Sequence, residues 1–477
     1  MADTLLVDAR PVCHPTAGTR GIGRYTIGLL AGLHEIGAPV VALYETEAEA
    51  VLLAAAIPGL ELAPLNPVTV RRYTEPGTWF VATQLMLHPI PLDPVPRIIT
   101  ESGLPVAAVM YDVIPERYPE QYQVRPQARA QVQLRGILAR TLDALLAISD
   151  FAADTAAHEL HFPRERITTI GAGCDRHFTR ADTSSDPWGQ LRRLLPDDAP
   201  NERRSLVINV AGGSDSRKNV ERLLQAWGLQ PSSVRRTHRL VVVGTFDNAL
   251  RQQWVHWASE AGVADDVVFT GSVTDDELVA LHQAARLAVV PSIEEGFGLP
   301  VLEAAACGCP VLTSNVSALP EVLAEPAAQF DPLDVHSMAK AIARALTNIA
   351  HRDTLIAAGD RAVQRWTWAN TARAVVDSLQ QLGPRKQRTL RPVRQRIALT
   401  GRFDDSAVGR ANTEFAHAMS SKPTAPEITL LVDNGGEATP TNAGPLRLPA
   451  RALGRFVHPS QFDDIISLPL EKRPVKR

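Results

Sequence analysis

The amino-acid sequence predicts an α/β protein with two doubly wound parallel domains and an incomplete third α/β segment after them. Three observations carry this. Short apolar runs alternate with helical patterns from residue 5 to residue 313, as in a parallel sheet covered on both faces. A polar segment, Asp182 to Arg204, rich in Asp, Ser and Pro, divides the alternation into two series. From residue 396 onward, the opening plan of strand, Gly-Arg loop, helix and strand is repeated.

In the first series Leu5 to Asp8 reads as a strand. A loop ending Gly18-Thr-Arg-Gly-Ile-Gly-Arg24 follows it, then a helix from Tyr25 to Glu35 and a strand from Pro39 to Tyr44. Trp79 to Ala82, Val106 to Tyr111 and Ala144 to Ile148 are further strands, the last with a helix after it. The second series has strands at Leu206 to Ala211, Leu240 to Gly244, Val267 to Gly271, Leu287 to Pro291 and Val311 to Thr313. Helices from Asn219 to Trp227 and from Asp275 to Ala284 intervene, the pattern of a doubly wound domain. Ala369 to Gln381 reads as a closing helix. The expected boundaries are 1–190 and 200–368 for the two domains, 369–383 for that helix, 384–395 for a linker and 396–477 for a partial module. The linker region Pro384 to Arg396 holds six Lys or Arg and two Pro, which reads as a solvated spacer or as a patch for anionic lipid headgroups. Beyond it, Arg396 to Gly401 reads as a strand, Val408 to Met419 as a helix and Glu427 to Asp433 as a strand. Roughly 80 residues are too few for such a sheet to bury both faces, so an appendage or the opening of a longer chain is expected.

The chain of 477 residues has room for about three domains. Its formal charge of −3 argues against a dedicated nucleic-acid binder. Four cysteines, Cys13, Cys174, Cys307 and Cys309, are too few for a disulfide framework and point to a reducing compartment. Cys307-Gly-Cys309 does not have zinc or thioredoxin spacing and reads as small buried thiols. No apolar run of about twenty residues and no signal peptide are read, so a cytoplasmic location is expected.

The most informative stretch runs from Pro291 through Glu295-Gly-Phe-Gly-Leu-Pro300 to Glu303 and on to Cys309-Pro-Val-Leu-Thr313. It reads as a strand end, a glycine-broken turn and a short helix with Pro300 in its first turn, where a missing N–H costs nothing. Unpaired N–H groups and the helix dipole make such a turn an anion site. Carboxylates at Glu295 and Glu303, eight positions apart, bracket it, as a polyhydroxylated phosphate-bearing ligand requires. The run of Glu295, Gly296-Phe297-Gly298, Leu299-Pro300, Glu303, a small-residue helix and a Pro-Val-Leu strand resembles the E-x7-E motif of retaining glycosyltransferases of family four. That resemblance covers residues 1 to 383, is strongest from 206 to 322, and implies the GT-B fold: two Rossmann-like domains with the nucleotide-sugar donor on the second. Trp366-Thr-Trp368 resembles the approach to the helix that returns to the first domain in that family.

Other clusters fit the same reading. Ala211-Gly212-Gly213-Ser-Asp-Ser-Arg217-Lys218 lies between a strand and a helix. Its glycines allow close backbone approach, and its two cations suit a pyrophosphate whose charge grows as it leaves, unless they merely cap the loop. Lys218 matches the family's pyrophosphate grip, with Arg217 the candidate for its arginine. The absence of an Asp-x-Asp sequence favours a metal-independent reaction with no cofactor beyond the GDP- or UDP-hexose substrate. Gly271 and Val273, in Thr270-Gly-Ser-Val273, resemble the loop beside the nucleobase, or form an ordinary strand-to-helix turn. Gly21, Gly23 and Arg24 resemble the family's first cleft loop, facing phosphate or acceptor. As a dinucleotide fingerprint the same loop fails, because Thr26 replaces the third glycine, which counts against a nicotinamide dehydrogenase. Asp112 sits at a strand's C-terminal end, where open sheets bind ligands, or it caps the next turn. Tyr111 stands where many family members have a sugar-contacting histidine. Ser149 reads as a helix cap.

The expectation is a retaining hexosyltransferase, mannose-like, acting on a glycan or lipid-linked acceptor in cell-surface polysaccharide assembly, with peripheral contact at the inner membrane face. Attack on the same face of the sugar, assisted by the leaving phosphate, would give retention; a covalent carboxylate intermediate is the alternative. A nucleotide-sugar epimerase and a weakly active sugar-nucleotide-binding protein are the competing functions.

Overall fold

The computed structural model describes residues 4–14, 18, 21–86, 94–182, 186–195, 204–213 and 215–382, and beyond them four strands at 396–401, 427–432, 450–452 and 464–467. The chain divides into two compact units, residues 1–128 with 139–384, and residues 129–138 with 385–477.

The first unit holds two parallel sheets. Seven strands, β1 (Leu5–Asp8), β2 (Val40–Tyr44), β3 (Glu61–Pro64), β4 (Trp79–Ala82), β5 (Val106–Met110), β6 (Ala144–Ala147) and β7 (Ile167–Thr169), lie in the order β3-β2-β1-β4-β5-β6-β7. Six more, β8 (Ser205–Gly212), β9 (His238–Gly244), β10 (Val267–Phe269), β11 (Ala285–Val290), β12 (Val311–Ser314) and β13 (Gln329–Phe330), lie in the order β10-β9-β8-β11-β12-β13. Helices on both faces bury the central strands, so β5 is buried along its whole length. The strands expected from the sequence are present with ends shifted by up to two residues. β3, β7 and β13 are additional, and all three are sheet edges.

The first helix begins three residues before the expected start, at Ile22, with Gly21 as its N-cap at φ 54°. What reads as a glycine loop is therefore half helix, and Gly23 is buried in it. The closing helix (Trp368–Leu382) packs on this first helix through close backbone approach. A Cβ at Gly28 would lie 2.1 Å from the Trp368 ring, and one at Gly32 would lie 2.2 Å from the Trp368 carbonyl oxygen. Ser378 Oγ donates to Thr168 Oγ1 on β7 at 2.7 Å, while Trp366 Nε1 donates to the Val322 carbonyl beside the second sheet at 3.1 Å. The chain thus crosses from the second sheet to the first between these two tryptophans.

In the second unit β14 (Arg396–Gly401), β15 (Glu427–Val432), β16 (Ala450–Ala452) and β17 (Asp464–Ser467) form a parallel sheet in the order β16-β15-β14-β17. Two of these strands were expected, and the helix expected at 408–419 lies outside the described residues. No described helix is long and apolar enough to cross a membrane.

Candidate active site

β11 ends in the loop that carries Glu295. The loop closes at Gly298, the N-cap of the helix Leu299–Ala306, with Pro300 in its first turn and Glu303 one turn further. Glu295 is 7% exposed and held from three sides. Lys218 Nζ and Ser292 Oγ donate to its Oε1 at 2.6 and 2.7 Å, and Arg217 Nη1 donates to its Oε2 at 3.0 Å. Its own N–H donates to Ser317 Oγ at 3.1 Å. Burial by itself would push this carboxyl up, but Lys218 and Arg217 outweigh it and hold Glu295 at about 2. The group is therefore a fixed carboxylate at neutral pH.

The two cations come from the turn after β8, where Ser216–Lys218 forms a 3-10 turn capped by Asp215. Arg217 also donates from Nε to Asp215 at 2.7 Å and from Nη1 to the Glu294 carbonyl at 2.8 Å. Burial pulls its guanidinium down, and Glu295, Asp215 and Asp112 more than compensate, so it stays protonated. Asn219 follows in a left-handed conformation and ties the turn to the Pro291 and Pro332 carbonyls at 3.0 and 2.8 Å. Gly212 ends β8 and Gly213 follows it; a Cβ on Gly212 would meet nothing within 4 Å, so the backbone there is open to a ligand.

Glu303 sits in a different field. Burial pushes it up to about 7, with Arg24 pulling down and Asp275 and Asp175 pushing up. Arg24, on the first helix of the first domain, lies 3.9 Å from Glu303 and forms a closer ion pair with Asp275. The sequence-predicted residues on both domains thus converge. Asp112 accepts from the Ile114 N–H at 3.1 Å, as a turn cap, and also acts electrostatically on Arg217. Gly296 abuts it: a Cβ there would lie 2.2 Å from the Tyr111 carbonyl oxygen and 3.2 Å from Asp112 Cβ. Gly271 and Val273 lie on the turn after β10, where Thr245 and Ser272 hydroxyls meet at 2.9 Å.

Two predicted residues, Phe297 and Tyr111, are built into packing. Phe297 is buried with its ring 5.2 Å from Trp366, and Leu299 opens the helix. Tyr111 is buried with its ring 5.1 Å from Tyr25, in the first domain's core, and burial pushes its hydroxyl far above the ordinary tyrosine range. Sequence reasoning missed Ser292, Ser317 and Glu294, and it missed that Ser149 does more than cap. Ser149 Oγ accepts from the Ala152 N–H at 2.9 Å and donates to the Gly296 carbonyl at 2.6 Å. The one available signal was a second acid, Glu294, immediately before Glu295 in the loop after β11.

Residues 195–362 match the family described as Glycosyl transferases group 1. The chain carries a glycosyl transferases group 1 domain. It is similar to the serotype-specific mannosyltransferase WbdA of Escherichia coli, 30% identical over 284 residues that make up 59% of this chain and 34% of the relative. It is also similar to the O-antigen chain mannosyltransferase B of Escherichia coli, 31% identical over 49% of this chain and 59% of the relative. The chain spans about a third of the length of the WbdA relatives it matches. Among solved structures, Anabaena Alr3699/HepE in complex with UDP and glucose matches with TM-score 0.60 at 16% identity, over 80% of this chain and 100% of that one. WaaG, a glycosyltransferase involved in lipopolysaccharide biosynthesis, matches with TM-score 0.53 at 16% identity, over 79% and 99%. The two parallel-sheet domains have the GT-B fold.

Proposed function

We propose that this chain transfers a hexose, mannose-like, from a GDP or UDP sugar to a glycan or lipid-linked acceptor, with retention at the anomeric carbon. The observation that carries this is the Glu295 carboxylate locked between Lys218 and Arg217, with Glu303 one helical turn away from the same loop. In the reaction Lys218 and Arg217 receive the charge that develops on the departing diphosphate. Glu295 orients the transferred sugar, the N–H groups after Gly296 bind sugar and phosphate, and Glu303 accepts from the ribose hydroxyls. Gly212 and Gly213 admit the phosphates, and Gly271 and Val273 border the base. Gly21, Arg24 and Asp112 form the acceptor side, and closure excludes water. The similarity to a serotype-specific mannosyltransferase and to an O-antigen chain mannosyltransferase supports the sugar class and a place in cell-surface polysaccharide assembly.

A sugar-nucleotide-binding protein of low activity is the second reading. It is favoured by Tyr111, whose ring is committed to core packing in the histidine position. One experiment separates them: thermal shift with GDP, UDP and ADP and their sugars, with and without EDTA, followed by mass spectrometry of acceptor mixtures. A ligand at 100 times its Kd raises stability by about 2.7 kcal/mol. Binding with a mass increment of one hexose supports transfer. Binding with none supports the second reading, and no binding ends both.

A further inference from the structure

Glu294 neighbours Glu295 and serves the opposite domain. Its side chain is 4% exposed, with Arg117 Nε 2.9 Å from Oε1 and the Tyr118 hydroxyl donating to Oε2 at 2.8 Å. Both partners lie around the short helix Ile114–Arg117 that follows β5 of the first domain. Arg117 is itself seated: its guanidinium lies 5.6 Å from the Phe151 ring and 3.9 Å from Glu159, both on the helix Asp150–Glu159. The N-terminus of that helix is tied to the second domain twice. The Asp150 and Phe151 N–H groups donate to Glu321 at 2.8 and 2.7 Å, and Ser149 donates to the Gly296 carbonyl. The loop 294–296 is therefore gripped by the first domain at both ends. On its other side the Glu294 carbonyl accepts from the same Arg217 nitrogen that binds Glu295. A buried carboxylate paired this way adds little stability over an apolar residue of equal size, whereas it fixes a geometry that a greasy contact would leave free.

We propose that Glu294 is a positioning residue: by clasping Arg117 and Tyr118 across the cleft it fixes the backbone that aims Arg217 and Glu295, so domain closure sets the donor site. The inference rests on the donor-site reading above. It is tested on the full chain with Glu294→Gln, Arg117→Ala, Arg117→Lys and Tyr118→Phe. Without any ligand, amide hydrogen exchange across residues 292–298 and 149–153 should speed up about tenfold or more in Glu294→Gln and Arg117→Ala. Titrated UDP and GDP should keep their Kd within about threefold, because the nucleotide contacts lie on the second domain, while kcat for transfer drops about 30-fold or more. Arg117→Lys, which retains the charge, should restore most of that kcat, and the double variant Glu294→Gln/Arg117→Ala should be no slower than the worse single one. Unchanged exchange in every variant overturns the proposal. So does a kcat that falls only in proportion to nucleotide affinity and melting temperature, the signature of a merely structural pair. A wild-type chain that transfers no sugar removes the donor-site reading alone, since the exchange measurements still decide whether the clasp holds the loop.

Discussion

Glu303 and Glu295 are two carboxylates of one motif driven in opposite directions by their surroundings. Burial raises Glu303 to about 7 from an ordinary 4.5, so the folded protein binds a proton there that the unfolded chain releases. Its sign follows: this contribution is fully favourable below about pH 4.5 and is lost as pH rises toward 7. Glu303→Gln should flatten unfolding stability over that window and leave the variant about 3 kcal/mol more stable than wild type above pH 7. Parallel stability profiles for the two proteins between pH 5 and 8 would contradict it. For Glu295 the folded value lies below the ordinary one, so its contribution is present above pH 4.5 and disappears only as pH falls toward 2. Lys218→Ala strips Oε1 of its shortest donor. The expected result is a transfer kcat lower by about 10²–10³-fold, measured at saturating donor, with Arg217 still holding Oε2.

Between elements the strongest constraint is space. Gly296 faces backbone, the Tyr111 carbonyl, so a methyl group there cannot be relieved by a rotamer change. Gly296→Ala should cost about 1–3 kcal/mol in urea unfolding and reduce transfer more than it reduces stability, since it pries apart the cleft that must close. Gly32→Ala, against the Trp368 carbonyl, should destabilise to a similar degree yet leave UDP and GDP affinity unchanged, because none of the proposed donor contacts lies on the closing helix. The same distinction explains what could be read from sequence. β8, β9 and β11 are buried apolar runs and declare themselves. The edges β3, β7 and β13 are two to four residues long and carry Glu61, Thr168, Thr169 and Gln329, so nothing in their composition marks a strand. The first helix was misplaced by three residues because Gly21 and Gly23 resemble a loop, while in the fold only Gly21 needs a left-handed backbone. Glu295, Glu303 and Lys218 were legible through local spacing. Ser317 and the Arg117–Glu294 pair were not, since their meaning arises from residues 22 and 177 positions apart.

Across the whole molecule one strand order recurs. β3-β2-β1-β4, β10-β9-β8-β11 and β16-β15-β14-β17 are the same topology written three times, which extends the repeat seen in sequence from two strands to four. Only the first two instances continue beyond four strands among the described residues, and only between these two do the candidate catalytic groups gather. Every proposed donor contact falls between Gly212 and Glu303, and the first compact unit ends at Pro384. HepE, matched along its full length, aligns with 80% of this chain. A chain ending at Pro384 should therefore bind UDP or GDP with a Kd within about twofold of the full chain, since a ligand stabilises only the unit that contacts it. Its main thermal transition should stay within a few degrees for the same reason. Calorimetry and nucleotide titration on both chains decide this. A lost nucleotide signal, or a transition lowered by about 5 °C or more, would mean that the third sheet is part of the folding unit that builds the site.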